Sequence, residues 1–168
     1  MRTPCALIAA GLVFLSSPAL AGNGTGNDHS DDHHAEHSVE GFRIEARAGV
    51  AWSGSHDYPA IALAFGYDLE AADKVVAGAE LALEKILTEG EFVEFEFSGR
   101  LGYLVSDAGQ VFVLGGYTAS EGERGPHAGF GYEHHVGHDG WYVSAEYHRL
   151  FGSSHNVNFA LAGVGIKF

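Results

Sequence analysis

The chain has 168 residues, of which 46% are hydrophobic and 12% aromatic, and its formal net charge is −13 at pH 7. This length fits one domain, and the apolar content is sufficient to bury a surface. The excess of acidic residues argues against binding to nucleic acid or to anionic lipid headgroups, which require patches of lysine and arginine.

Residues 1–21 have the pattern of a Sec-type signal peptide. Arg2 supplies the positive charge, residues 6–15 form an apolar run, and Ala19 and Ala21 provide the small-x-small cleavage site. The apolar run is shorter than the about 20 residues that a membrane-spanning helix needs. Cys5, the only cysteine, precedes that run, so the exported chain has no thiol chemistry. A mature protein without apolar helices could span a membrane only as a closed barrel.

Residues 22–41 lack apolar periodicity and are rich in Gly, Asn, Asp and His, which predicts a disordered linker. Four of its side chains, His29, His33, His34 and His37, alternate with carboxylates, a ligand set that suits Zn²⁺, Ni²⁺ or Cu²⁺. The favoured interpretation is a solvated acidic tail, and the alternative is a metal site on these histidines. We predict no cofactor, with at most weak binding of such ions by this segment.

From residue 42 onward, apolar and polar residues alternate with the period of two that is typical of β-strands. Seven segments show this alternation: residues 42–52, 58–70, 91–104, 110–118, 126–136, 140–150 and 157–168. In the first segment Phe42 and Ile44 alternate with Arg43 and Glu45. A strand with one apolar and one charged face separates two different environments.

Residues 74–86 are ambiguous, because their Ala, Leu and Glu content favours a helix on intrinsic propensity. As a strand, the segment places Leu81 and Leu83 on one face and Glu80 and Glu84 on the other. Single-chain bacterial barrels have an even number of strands, and a helix here would leave seven. We therefore predict a strand.

The last strand ends the chain on an aromatic residue, with Val164, Ile166 and Phe168 on its apolar face. Other aromatics fall near the two ends of the strands: Phe42, Tyr67, Tyr103, Tyr132 and Trp141 at one end, and Trp52, Tyr58 and Tyr117 at the other. Such girdles flank the apolar band of outer-membrane barrels. A soluble lipocalin-like barrel with inverted faces is the alternative that alternation alone leaves open.

These features resemble the small eight-stranded outer-membrane barrel family that includes outer membrane protein A, opacity proteins and porin-family surface antigens. The resemblance implies an all-β fold for residues 42–168: an eight-stranded antiparallel up-and-down transmembrane β-barrel. It also implies the outer membrane of a Gram-negative bacterium, with residues 22–41 in the periplasm and a monomeric barrel. The implied partners are outer-membrane lipid, lipopolysaccharide and the barrel-assembly machinery, which would engage the C-terminal strand ending in Phe168.

The strand face opposite the apolar one collects charged residues that we predict to form a buried ion-pair network in the lumen. These residues are Arg43, Glu45, Arg47, Glu80, Glu84, Glu94, Glu96, Arg100, Glu133, Glu146, His148 and Lys167. The interior of an eight-stranded barrel is filled by side chains rather than open. A structural or interaction role in the envelope follows, and a narrow cation-preferring pore and a metal-binding surface protein are the alternatives.

An enzyme is disfavoured. A lipid A deacylase needs Ser, His and a carboxylate near lipid, and the candidates are Glu146, His148, Ser153, Ser154 and His155. Residues 146–156 lack the His-x-Ser-Asn pattern of that class, and Glu146 and His148 fall on the luminal face. The predicted outer loops are short for an adhesin. His56 and His155 fall in outer loops that adjoin on barrel closure and could share a metal ion, although solvated loop histidines are the favoured interpretation. His127, His134, His135 and His138 form no clear constellation.

Overall fold

The computed structural model describes residues 40–88, 93–120, 124–137 and 139–168. The predicted signal peptide and the four histidines of the predicted tail lie outside these residues. The strands are β1 (Gly41–Ser53), β2 (His56–Ala72), β3 (Val75–Ile86), β4 (Val93–Leu104), β5 (Gly109–Ala119), β6 (Gly125–His135), β7 (Trp141–Phe151) and β8 (Asn156–Lys167). No helix among the described residues is long and apolar enough to cross a membrane.

The eight strands form one closed antiparallel barrel in which each strand pairs with its neighbours in sequence. β1 and β8 complete the closure, with a register that runs from Arg43 opposite Lys167 to Trp52 opposite Asn158. Beyond that register, Phe42 and Phe168 exchange both backbone hydrogen bonds at 2.9 Å. The predicted up-and-down barrel is therefore confirmed. We call the end that holds Gly41 and Phe168 the terminal end, and the other the opposite end.

The ambiguous segment is a strand. β3 pairs with β2 and with β4 along its length, so both neighbours are hydrogen-bonded through it. Glu80 and Glu84 are buried, while Leu81 and Leu83 are exposed on the outside. The backbone groups of β2 and β4 need a partner here, and that requirement overrides the helix propensity of the isolated sequence.

The apolar residues of the alternating pattern face outward. Phe95, Phe97 and Phe130 are each about 60% exposed, and valines, leucines and isoleucines cover the rest of the wall. The aromatics near the terminal end also lie outside, where Phe42 and Tyr67 make an edge contact with ring centroids 4.9 Å apart. A soluble barrel requires the reverse arrangement, so the lipocalin-like alternative is wrong.

The turn between β2 and β3 holds a strained residue. Lys74 has φ of 62°, in the left-handed region that costs a non-glycine residue about 1–2 kcal/mol. Since glycine also loses more chain entropy on folding, Lys74→Gly is expected to raise the free energy of unfolding by about 0.5–1 kcal/mol. Denaturant titration of the detergent-folded protein measures this change. Lys74→Ala, which keeps the strain, is the control, and an equal gain for both variants contradicts the explanation.

Candidate functional site

The buried charged side chains of this barrel lie in its lumen. All twelve residues assigned to the lumen from sequence are buried, each with at most 6% of its surface exposed. They separate along the barrel axis into three clusters and are followed, toward the opposite end, by apolar side chains. Each cluster has a different balance of charge.

The terminal cluster comprises Arg43, Asp68, Arg100, Glu133, His135 and Lys167. Asp68 lies 3.2 Å from Arg43 Nε and 3.1 Å from Lys167 Nζ. Glu133 accepts a hydrogen bond from Arg100 Nη2 at 3.0 Å and lies 3.3 Å from Lys167 Nζ. Because these side chains come from β1, β2, β4, β6 and β8, their ion pairs cross the lumen rather than follow one wall.

The central cluster comprises Glu45, Arg47, Glu80 and Glu146. Arg47 donates a bidentate pair of hydrogen bonds to Glu80 at 2.8 and 2.9 Å and a further one to Glu45 at 3.0 Å. Its Nη1 also lies 3.3 Å from Glu146 Oε2. One guanidinium therefore joins β1, β3 and β7, and the planar geometry of arginine suits such multidentate pairing.

Glycines on the inner face make room for these large side chains. A Cβ at Gly66 would lie 2.7 Å from Arg43 Nη2, and one at Gly163 would overlap the carboxylate of Glu45. That same carboxylate accepts hydrogen bonds from Tyr142 Oη at 3.2 Å and from the Ser144 hydroxyl. These two glycines thus leave room for the side chains of Arg43 and Glu45 in the lumen.

The histidine cluster comprises Glu84, Glu94, Glu96, His127 and His148 and lies between the central cluster and the opposite end. Glu84, Glu96 and His148 are the one group of potential metal ligands within the described residues whose ligand atoms all lie within 4.8 Å of one another. His148 Nδ1 is 2.9 Å from Glu146 Oε1, which links this cluster to the central one. His127 is held between the hydroxyls of Ser98, at 2.7 Å, and Thr118, at 2.8 Å.

Apolar side chains fill the lumen next to the histidine cluster. This apolar cluster consists of Ala51, Ala60, Ala62, Leu150, Val157, Phe159 and Leu161, all buried. The ring of Phe159 stacks on the imidazole of His148, with centroids 4.6 Å apart. The apolar cluster thus fills the β1, β2, β7 and β8 side of the lumen beside the histidine cluster.

Positive and negative charges are unevenly distributed among the three clusters. The buried residues of the described chain include eight carboxylates but only four Lys and Arg side chains. All four cations lie in the terminal and central clusters, together with five of the carboxylates. The remaining three, Glu84, Glu94 and Glu96, lie with His127 and His148 in the histidine cluster.

Sequence reasoning missed several luminal side chains: Asp68, Gln110, Thr118, His127, His135 and Tyr142, all buried. Each occupies an inward-facing position of its strand, so the alternation of inward and outward residues in the sequence could have predicted its burial in the lumen. The expectation that His127 and His135 belong to no constellation is wrong, since both lie in the clusters above. His134 is on the outside, 3.1 Å from Tyr132 Oη, and His138 lies outside the described residues.

The other residues that the sequence suggested as catalytic or metal-binding candidates do not lie together. Ser153, Ser154 and His155 are exposed in the turn between β7 and β8, whereas Glu146 and His148 are luminal. His56 begins β2 and stacks on Tyr58, with ring centroids 6.5 Å apart. The four histidines of the predicted tail, His29, His33, His34 and His37, lie outside the described residues, and the metal site predicted on them stays a prediction.

Comparison with solved structures identifies the same fold in membrane barrels. Ail, the attachment invasion locus protein of Yersinia pestis, superimposes with a TM-score of 0.57 at 12% identity, over 77% of this chain and 100% of that chain. Neisserial surface protein A gives 0.53 at 11% identity, over 76% and 96%. The designed transmembrane barrel TMB2.3 gives 0.55 at 19% identity, over 77% and 94%.

The sequence matches no protein-family model, and no curated protein is significantly similar to it. At sequence identities this low, structural similarity shows a shared fold but not a shared activity. It agrees with the resemblance seen in the sequence. The chain has the fold of the small eight-stranded outer-membrane β-barrels.

Proposed function

We propose that this protein is an integral outer-membrane barrel with a sealed lumen and a structural or interaction role in the cell envelope. The observation that carries the proposal is the position of Arg47, whose guanidinium ties β1, β3 and β7 together across the lumen. With the terminal cluster on one side and the apolar cluster on the other, side chains occupy the lumen along its length. The barrel then acts through its outer wall and its two ends.

The outer wall supports a membrane location. Its apolar side chains have no partner within the described chain that covers them, and a hydrocarbon environment removes the cost of exposing them to water. All strand backbones are paired in a closed sheet, as lipid requires. Lipid and lipopolysaccharide are the proposed partners of this wall. The terminal end then faces the periplasm, as the predicted export signal and N-terminal segment require.

The C-terminal residue supports assembly through β8. Phe168 closes the barrel by its paired hydrogen bonds with Phe42, while its own side chain is 67% exposed on the outside. An exposed aromatic at the end of the closing strand is accessible before closure. The barrel-assembly machinery is the proposed partner of this strand.

An adhesive role like that named for Ail is less well supported by this chain. Residues 54–55 connect β1 to β2, and 152–155 connect β7 to β8, so these turns at the opposite end are short. Acidic residues dominate the four connections at this end, with Glu89, Glu91, Glu121 and Glu123 against one basic residue, Arg124. Ail has been solved with a heparin analogue, sucrose octasulfate. A net negative charge in these connecting sequences opposes the binding of such polyanions.

A cation-preferring pore is the second candidate, because the luminal carboxylates outnumber the arginines and lysines. The ion pairs and the apolar cluster oppose it, since conduction requires a continuous wet path. Conductance separates the two candidates.

We expect the refolded protein to migrate on unboiled gels as a compact band distinct from the boiled chain. We also expect no discrete conductance steps after it is inserted into planar bilayers. A large-pore bacterial porin inserted under the same conditions is the positive control. Deletion of Phe168 is expected to reduce the yield of the compact band. Regular cation-selective steps would replace the sealed-barrel proposal with the pore, and folding in plain buffer without detergent would contradict the membrane location.

A further inference from the structure

We propose that Glu84, Glu96 and His148 bind a divalent transition-metal ion, of the class of Zn²⁺, inside the barrel lumen. This site is separate from the histidines of the predicted tail. It goes beyond the envelope role, since a sealed barrel could perform that role without any ion. Three strands supply the ligands, β3, β4 and β7.

The ligand atoms are close to the arrangement that a tetrahedral ion needs. His148 Nε2 lies 3.7 Å from Glu84 Oε2 and 3.8 Å from Glu96 Oε1. Zinc bonds of about 2.0–2.2 Å to imidazole and carboxylate imply ligand atoms about 3.4 Å apart. The two separations from His148 exceed that value by a few tenths of an ångström, and the carboxylate atoms of Glu84 and Glu96 lie within 4.8 Å of each other. Side-chain rotation can supply the remaining approach. Three protein ligands also leave the fourth position for water or a further carboxylate.

The imidazole of His148 is set in the tautomer that a metal ligand requires. Its Nδ1 lies 2.9 Å from Glu146 Oε1, so Nδ1–H donates to that carboxylate. Glu146 is fixed in turn by Arg47, at 3.3 Å. In the neutral imidazole, Nε2 then directs its lone pair at Glu84 and Glu96. A carboxylate that orients the distal nitrogen of a ligating histidine is the usual support of protein zinc sites.

Glu96 is oriented by a similar relay. The Thr118 hydroxyl donates to Glu96 Oε1 at 3.1 Å and lies 2.8 Å from His127 Nδ1. If His127 Nδ1–H donates to Thr118, its Nε2 accepts from the Ser98 hydroxyl, at 2.7 Å. This arrangement satisfies every proton of the relay with a neutral His127. Glu96 is thus held in place without a positive charge.

Two polar atoms at the centre of the cluster have no hydrogen-bond partner. They are Glu84 Oε1 and His148 Nε2, on side chains that are each 1% exposed. Buried polar groups are nearly always paired, so such atoms point to a missing partner. A positive partner suits both atoms, because Glu84 and Glu96 each present a carboxylate to His148 Nε2. A protonated His148 would supply one charge, whereas a divalent ion supplies two.

The surroundings favour a retained ion. Phe159 covers one face of the His148 ring, and the apolar cluster lies beyond it. On the other side the central cluster fills the lumen. An ion enclosed in this way enters during folding and exchanges slowly, so binding and folding are coupled.

The test uses the full chain without its predicted signal peptide, with His29, His33, His34 and His37 replaced by serine so that the predicted tail cannot contribute. This protein is refolded into detergent in the presence of ZnCl₂. It is then treated with EDTA to remove loosely bound zinc, desalted, and analysed for its zinc content. We expect about one ion per folded chain. The variants His148→Gln and Glu84→Gln/Glu96→Gln are expected to lose at least about tenfold of that zinc. His135→Gln, another buried luminal histidine, is the matched control and retains it.

Zinc is normalised to the heat-modifiable band, so that a folding defect is not read as lost binding. The glutamine pair removes like charges, and we expect it to fold without metal at least as well as the parent. Refolding with Co²⁺ adds a spectroscopic readout, because tetrahedral cobalt with a histidine ligand absorbs in the visible range and His148→Gln removes that band. Equal zinc in the parent and in His148→Gln overturns the proposal. Loss of zinc from His135→Gln as well would overturn it too.

Discussion

Replacing Arg47 with methionine is expected to lower the free energy of unfolding by about 3–5 kcal/mol, the range found when one partner of a buried ion pair is removed. Arg47 is buried and contacts three carboxylates, Glu45, Glu80 and Glu146. Methionine fills much of the same volume but leaves these carboxylates close together without their shared cation. The cost arises from their desolvation and mutual repulsion more than from lost packing.

Denaturant titration in detergent, followed by the fluorescence of Trp52 and Trp141, measures the effect. Arg149→Met is the matched control, because Arg149 lies on the outer face near the opposite end, with its guanidinium 5.6 Å from the Phe151 ring. Its loss is expected to cost less than about 1 kcal/mol. Addition of Glu80→Gln to Arg47→Met is expected to recover part of the loss, because it removes one uncompensated charge. If the double variant is less stable than Arg47→Met alone, charge imbalance is not the cause.

The strands could be predicted because the barrel wall imposes the same rule on every residue. A side chain faces either lipid or lumen. The alternation with a period of two, as in Phe42–Ile44 or Trp141–Val143, therefore assigns each residue to the outer or the inner face of the wall. The same rule assigned β3, where Glu80 and Glu84 must point inward even though the residues between them favour a helix. Even strand number and closure then fixed the topology.

The partners inside the lumen could not be predicted in this way. Alternation gives the face of a residue, but the contacts across the lumen depend on strand tilt and side-chain length. Arg47 meets Glu80, 33 residues away, through a bidentate pair that no local pattern records. His127 and Thr118 have unremarkable sequence neighbours, and their roles follow only from a register that places β5 beside β6.

Metal ligation shows the same limit. Sequence reasoning looks for ligands that are adjacent in the chain, and therefore selected His29, His33, His34 and His37. Within the described residues, the ligand set that comes together is drawn instead from three strands, with Glu96 and His148 separated by 52 positions in the sequence. His148, the one histidine assigned to the lumen from the sequence, was predicted only as a member of the charged network. Its significance depends on the two carboxylates that face its free nitrogen.

Gly116→Ala is expected to destabilise the barrel by about 1–3 kcal/mol or more, as overpacking does where the backbone has no room to adjust. Gly116 lies opposite Ser98 in the pairing of β4 with β5. A Cβ on Gly116 would overlap the carbonyl oxygen of Phe97 and lie 2.8 Å from the Cα of Ser98. These are backbone atoms of a closed sheet, so relief requires movement of a whole strand.

The neighbouring glycine provides the control for this substitution. A Cβ on Gly115 would meet only the carbonyl oxygen of His127, at 3.7 Å, which is an ordinary contact. Gly115→Ala is therefore expected to be neutral or to stabilise by about 0.4–1 kcal/mol, through the smaller entropy of the unfolded chain. Denaturant titration and the yield of heat-modifiable band compare the two variants directly. Similar losses from both would mean that any side chain between β4 and β6 disturbs the wall. A loss confined to Gly116 would locate the constraint in the close approach of β5 to the backbone of β4.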